Sequence, residues 1–290
     1  MRIIWRILGY LRPYRVTLVI AYVSLFIAIS AQLTVPLLIG NVIDDGIAGD
    51  DSDVILTGAF LIIGVTAVQA IFTYIRTYLF QALAERVATD TRRQLYEHML
   101  TLSFSFIDTS QSGQLMSRAT EDVNAIRRFM MFSLRMAIYS GSMLVIVSIL
   151  LLREHLTLAL ISLAAMPILA WTAVYFSTHV RPMFSNVQQQ FGEMSSVLQE
   201  NLAGTRVVRV FAREADETSK FDNSLRSLFM KQMDAIRYYS FFFPFMHFIS
   251  GVSLLAVLWY GGRHVLIGSI SIGTLVTFNI YLTLLAMPIR

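Results

Sequence analysis

Side chains able to do acid–base, nucleophilic or metal chemistry are few in this 290-residue chain, and many of them stand in two short polar stretches. The first, TLSFSFIDTSQSGQLMSRATEDV, runs from Thr101 to Val123. It carries Asp108, Arg118, Glu121 and Asp122 around an apolar patch, Phe104-Ser105-Phe106-Ile107. The second, Gly204 to Glu217, sets Val208, Val210 and Phe211 among arginines. Neither has the spacing of a catalytic centre. His-Glu-x-x-His, Gly-x-Ser-x-Gly and paired metal-ligand spacings are all missing, so no catalytic residue and no metal site is expected. A phosphate-binding loop needs Gly-x-x-x-x-Gly-Lys-Ser/Thr; the only lysines, Lys220 and Lys231, do not follow a glycine. With no cysteine, disulfides and cysteine-ligated metals are excluded. What two polar stretches with small apolar knuckles can do is bind.

The elements that must position them are membrane helices. Apolar residues make up 56% of the chain and charged residues 14%, with a mean hydropathy of +0.61; a soluble domain carries about 25% charge. The net charge of +4 and pI near 9.4 do not point to nucleic acid, because the basic residues flank apolar runs. Six runs approach the roughly 20 apolar residues of a spanning helix: 16–39, 54–75, 136–152 with an inward extension past Arg135, 156–180, 238–262 and 265–289. With their polar extensions the six helices are expected over about 16–43, 54–100, 114–152, 156–205, 216–262 and 265–290, with turns at 153–155 and 263–264. Arg2, Arg6, Arg12 and Arg15 precede the first run, and segments 76–135 and 181–237 each hold eight basic residues. The first loop holds only acids: Asp44, Asp45, Asp50, Asp51 and Asp53. That asymmetry places both termini in the cytoplasm, and Tyr14, Tyr238, Tyr239, Trp259 and Tyr260 fit interfacial belts. Residues 1–15 read as a basic amphipathic helix on the inner surface, with Ile4, Ile7, Leu8 and Leu11 on one face. A signal peptide cut near Ala28-Ile29-Ser30-Ala31 is the alternative; the apolar run continuing through Ile39 argues against it.

The two inner segments are too helical to be loops. Arg76 to Leu100 has no Pro or Gly, and Leu79, Leu83, Val87, Leu95 and Met99 keep a spacing near four with one break at Asp90–Thr91. Phe184, Val187, Phe191, Met194, Leu198 and Leu202 do the same in the second segment. The spans therefore continue into water for some 25 residues, roughly 35 Å, and turn at the two polar stretches. The apolar knuckles there mark either a partner site or packing of one tip on the other.

Four stretches in order carry a resemblance: PLLIGNVIDDGI from Pro36, LSFSFIDTSQSGQLMSRATEDV from Leu102, ENLAGTRVVRVFAREADETSKF from Glu200 and GTLVTFNIYLTLLAMPIR from Gly273. Over essentially the whole chain the sequence resembles the transmembrane domain of an ATP-binding cassette exporter half-transporter of multidrug or lipid type. The resemblance implies an all-α membrane protein: an N-terminal elbow helix, six long helices with cytoplasmic extensions, and a domain-swapped dimer, in a bacterial inner membrane. It implies coupling helices at the two tips, Phe104, Ser105, Phe106, Ile107, Asp108 and Thr109 in the first and Val208, Arg209, Val210, Phe211, Ala212, Arg213 and Glu214 in the second, seated in nucleotide-binding domains, the second on the partner's. One departure is Ile107, where the family tends to have a second Phe. ATP and Mg would be held by a nucleotide-binding domain, fused or separate, and this chain would bind neither and hydrolyse nothing by itself. The end at Arg290, inside what the family makes a longer helix, suggests the membrane part of a longer polypeptide. The implied partners are that domain, a second membrane half (identical or related) and the lipid bilayer, with no nucleic acid.

Alternating access between inward- and outward-facing states would move an amphipathic drug or lipid. Candidate cavity residues are Gln32, Gln69, Arg76, Tyr78, His247, Asn279 and Tyr281. For Gln and Asn in spans, interhelical hydrogen bonding is the plainer role; for Arg76, snorkelling at the boundary; for His247, a simple structural hydrogen bond. An ion-driven secondary transporter using His247 or Arg76 is the competing class, and it leaves the long inner hairpins unexplained. An import permease would carry one docking loop instead of two, and an intramembrane enzyme lacks a catalytic constellation.

Overall fold

A computed structural model describes residues 9–102 and 117–289, and among them there is helix and no strand. A 3₁₀ turn at Arg12–Tyr14 leads into α1 (Arg15–Asn41), which a π-helical turn (Val42–Ile47) extends. Then come α2 (Ser52–Leu100), a π turn at Arg118–Asp122, α3 (Val123–Arg128), a second π turn at Phe129–Leu134 and α4 (Arg135–Glu154). α5 (Leu156–Ala203), the short α6 (Thr205–Val210), α7 (Glu214–Leu266) and α8 (Ile272–Ile289) complete the order.

Five helical segments are long and apolar enough to cross a membrane: Arg12–Ile47, Ser52–Leu100, Thr120–Glu154, Leu156–Ala203 and Glu214–Leu266. The sixth apolar run is present as a shorter helix, Ile272–Ala286. This is an all-α, multi-pass membrane protein. The 49 residues of α2 measure roughly 73 Å at 1.5 Å per residue, more than twice a hydrocarbon core of ~30 Å.

Turn chemistry sets the boundaries. Asp50 adopts φ 53°, and the Asp51 carboxylate caps α2 by accepting the Asp53 and Val54 amides at 2.9 and 3.3 Å. His155 is extended between α4 and α5. The break after the fifth span falls at Ile267–Ser271, not at 263–264. Gly261, Gly262 and Arg263 stay helical, Gly268 takes φ +78°, and the Ser271 hydroxyl caps α8 through the Thr274 amide at 3.0 Å.

The fold divides into two compact units. The first comprises residues 1–159 and 258–288. At one end of it Leu11, Leu83, Ala84, Val87 and Met130 are buried together, with Leu18, Ile126 and Phe129 packed around them. Leu11, expected on a surface-lying helix, is thus part of a packed core. Polar bonds run along the same seam: Tyr14 Oη donates to Asp90 at 2.6 Å, Arg92 to Asn124 at 2.9 Å, and Arg127 pairs with Glu85. The break in apolar spacing at Asp90–Thr91 is explained here, since Asp90 receives Tyr14 and buried Thr91 bonds back to Val87 O at 2.7 Å.

At the other end α1 and α8 meet backbone to backbone. A methyl on Gly40 would sit 2.5 Å from Thr277 Oγ1 and 3.0 Å from the Gly273 carbonyl, and one on Gly273 would collide with the Gly40 carbonyl. Small residues allow such approach between membrane helices. Three hydrogen bonds then lock the pair. The Gly273 amide donates to Asp44 (2.8 Å), Thr277 Oγ1 to the Pro36 carbonyl (3.0 Å) and Tyr281 Oη to the Leu33 carbonyl (2.7 Å).

The second unit, residues 160–257, holds most of α5, all of α6 and most of α7. Lys231 donates to Gln190 at 2.7 Å and Lys220 to Glu200 at 3.0 Å. An aromatic ladder of Phe176, Tyr238 and Phe242 joins the same two helices, with centroids 4.6–5.8 Å apart.

Candidate functional site

The second tip is built by three successive turns. α5 stops at Gly204, whose amide bonds Glu200 O at 2.8 Å. One and a half turns of α6 follow. That helix closes with Arg213 N donating to Val208 O (2.9 Å) and Ala212 N to Arg209 O (3.3 Å). This is the paired-bond C-cap that normally holds a left-handed glycine; here Ala212 occupies it at φ 51°. Glu214, Asp216 and Glu217 fill the first turn of α7, where the helix dipole favours acids.

The turn holds its apolar side chains out. Val207, Val210 and Phe211 are 60%, 78% and 71% exposed, far above what a packed knuckle shows. Around them the Arg206 and Arg209 guanidiniums have no hydrogen bond or ion pair among the described residues, while Arg213 pairs with Asp216. Val208 instead turns into a groove of about 360 Å³ with Thr205, Arg209, Glu214 and Phe221. Below it, the hydrogen bond that Lys220 donates to Glu200, with the Glu200 and Glu217 charges, raises the Lys220 pKa and keeps that staple charged. The tip is an exposed apolar plug, ringed by cations on a fixed turn. The first tip, Phe104 to Thr109, lies outside the described residues.

The cavity candidates separate. Gln32 and Arg76 come together through Tyr139, a residue the sequence reading did not select. Its hydroxyl donates to Gln32 Oε1 at 3.2 Å, and the Arg76 guanidinium lies over its ring at 5.4 Å. The available signal was its position one turn after Arg135. Gln69, two turns before Arg76 on α2, is half-buried and has no protein hydrogen-bond partner among the described residues. Tyr78 is 61% exposed and stacks on Tyr74. Tyr281 is fully buried in the α1–α8 contact, and Asn279 Nδ2 bonds back to Leu275 O at 2.9 Å. His247 belongs to the second unit, exposed, its Nδ1 2.9 Å from the Phe243 carbonyl. Its ring lies 4.7 Å from that of Phe243.

Long helices, one cation-ringed tip and polar groups grouped inside apolar helices are consistent with a transporter's membrane part. Residues 18–289 match the family described as ABC transporter transmembrane region. The chain belongs to this family. Among similar proteins, an ATP-dependent lipid A-core flippase of Syntrophus aciditrophicus (strain SB) is 27% identical over 290 residues, covering 100% of this chain and 48% of that protein. An uncharacterised ABC transporter ATP-binding protein of Bacillus subtilis (strain 168), YknV, is 26% identical over 289 residues, 98% of this chain and 48% of its own length. Another from Mycobacterium tuberculosis (strain ATCC 25618 / H37Rv), Rv1273c, is 27% identical over 283 residues, 97% of this chain and 48% of its own length. This ABC transporter membrane region spans about half the length of the curated relatives it matches.

Proposed function

We propose that the chain is the membrane half of an ATP-driven exporter that carries a lipid-like or amphipathic substrate out of the inner leaflet by alternating access. Its arginine-rich end faces the cytoplasm of a bacterial cell, its sixth apolar run completes a six-span bundle, and a second membrane half, identical or related, completes the pathway. ATP and Mg are bound by a nucleotide-binding domain, and the tips at Phe104–Thr109 and Val208–Glu214 dock on that domain. The observation that carries this reading is the α6 tip, an apolar knuckle held away from its own hairpin and rimmed by unpaired arginines. Burying Phe211 and Val210 in a partner groove would be worth several kcal/mol at ~25 cal/mol per Å². The charged rim would set register more than affinity. Similarity to a lipid A-core flippase favours a lipid-like cargo.

The test uses the complete transporter in proteoliposomes. Phe211→Asp should leave ATP hydrolysis running while ATP-dependent movement of a labelled lipid stops; Phe106→Asp should do the same at the first tip. Normal transport in both variants would remove the tips from the mechanism.

A further inference from the structure

The geometry points to a binding site for the phosphate of an anionic membrane lipid, in a recess between α2 and the π turn Phe129–Leu134. This recess has a volume of about 620 Å³, within the range of small-molecule sites. Phe80, Phe129, Met131 and Phe132 give it an apolar lining, and Arg128 and Arg135 stand on it with no acidic residue among its lining side chains. Neither arginine has a hydrogen bond or ion pair among the described residues. Arg76, one residue before the lining Thr77, adds a third guanidinium close enough to Arg135 for their charges to repel. Its Nε is buried with no partner. The nearby Arg127, by contrast, is neutralised by Glu85. Three guanidiniums without an acidic partner beside one cavity repel one another unless an anion joins them, and guanidinium forks match phosphate oxygens.

Position decides what carries the phosphate. Arg76 is the first charge after the apolar run 54–75, and Arg135 the last before the apolar run 136–152. The recess therefore sits where headgroups meet acyl chains, and Phe132, 65% exposed, continues its apolar wall outward. A free phosphate would have no use for that wall, whereas a lipid would use both halves. The π turn supports the assignment, since such turns open a helix's packing and recur at ligand sites. None of this depends on the chain moving a cargo.

The experiment measures retention of labelled phosphatidylglycerol by the full-length protein that contains this chain, purified in dodecyl maltoside. Competition with phosphatidylcholine and with inorganic phosphate runs in parallel. Arg128→Gln carries little folding risk, because Arg128 is exposed and unpaired. It should weaken retention about tenfold, the loss of one charge-assisted contact, and Arg128→Gln with Arg135→Gln should abolish it. Arg226→Gln, on α7, should change nothing. Phosphatidylglycerol retained equally by the double variant, or phosphatidylcholine bound as tightly, would overturn the site. Inorganic phosphate competing as strongly as the lipid would overturn its acyl-chain half.

Discussion

Gly40 and Gly273 face each other with no room for a single methyl group on either, so α1 and α8 touch through their backbones. The Gly273 amide bond to Asp44 and the Thr277 bond to the Pro36 carbonyl lie beside this contact. Gly273→Ala must separate the helices and stretch both bonds. The expected cost is about 1–3 kcal/mol, read as a lower midpoint of thermal unfolding in detergent. Gly64→Ala, where an added Cβ meets nothing within 4 Å, is the control and should not lower it.

Tyr281→Phe tests the same seam without changing its shape. The phenyl ring refills the fully buried site, but the Leu33 carbonyl loses its 2.7 Å donor. A loss of about 1–3 kcal/mol is expected for an unpaired buried group, measured by the same unfolding assay. No change would mean that the carbonyl finds another donor within its own helix.

At the second tip, Ala212 holds a left-handed conformation at φ 51°. A non-glycine residue there costs roughly 1–2 kcal/mol, so Ala212→Gly should relieve part of it and slow proteolysis of the hairpin. Ala212→Val should raise the strain and speed cleavage. Equal cleavage of all three proteins would show that the turn is already open.

His247 ends an exposed aromatic face and keeps its Nδ1 on its own helix. In the complete transporter, His247→Ala should change how substrates stimulate ATP hydrolysis while leaving the basal rate alone. Identical stimulation across a substrate panel would return the ring to a purely structural role.

The long helices were legible in the sequence because hydropathy and charge asymmetry act over 20 residues or more, and single side chains barely perturb them. The tip was legible too: Val210 and Phe211 stand in a turn too thin to bury them. What could not be read were contacts between distant segments. Gly40 and Gly273, 233 residues apart, look like ordinary span glycines until α1 and α8 are superposed on one seam. Tyr281 looked like a cavity residue because a polar aromatic in a span suggests a ligand, whereas a main-chain oxygen beside Pro36 takes its hydroxyl. Little in the local sequence marks Tyr139, since its partners Gln32 and Arg76 come from two other helices. The turn at Gly268 depended on backbone sign, which composition does not encode.

The two lysines, Lys220 and Lys231, both fasten α5 to α7, through Glu200 and Gln190. Every other basic side chain in the sequence is an arginine or a histidine. Amine chemistry is therefore blind to the rest of the side chains: a mild acylating reagent would cap both fasteners of one hairpin and leave every guanidinium charged. With no cysteine to interfere, a thiol label introduced at the tip would report the opening of that hairpin as the two amines are consumed.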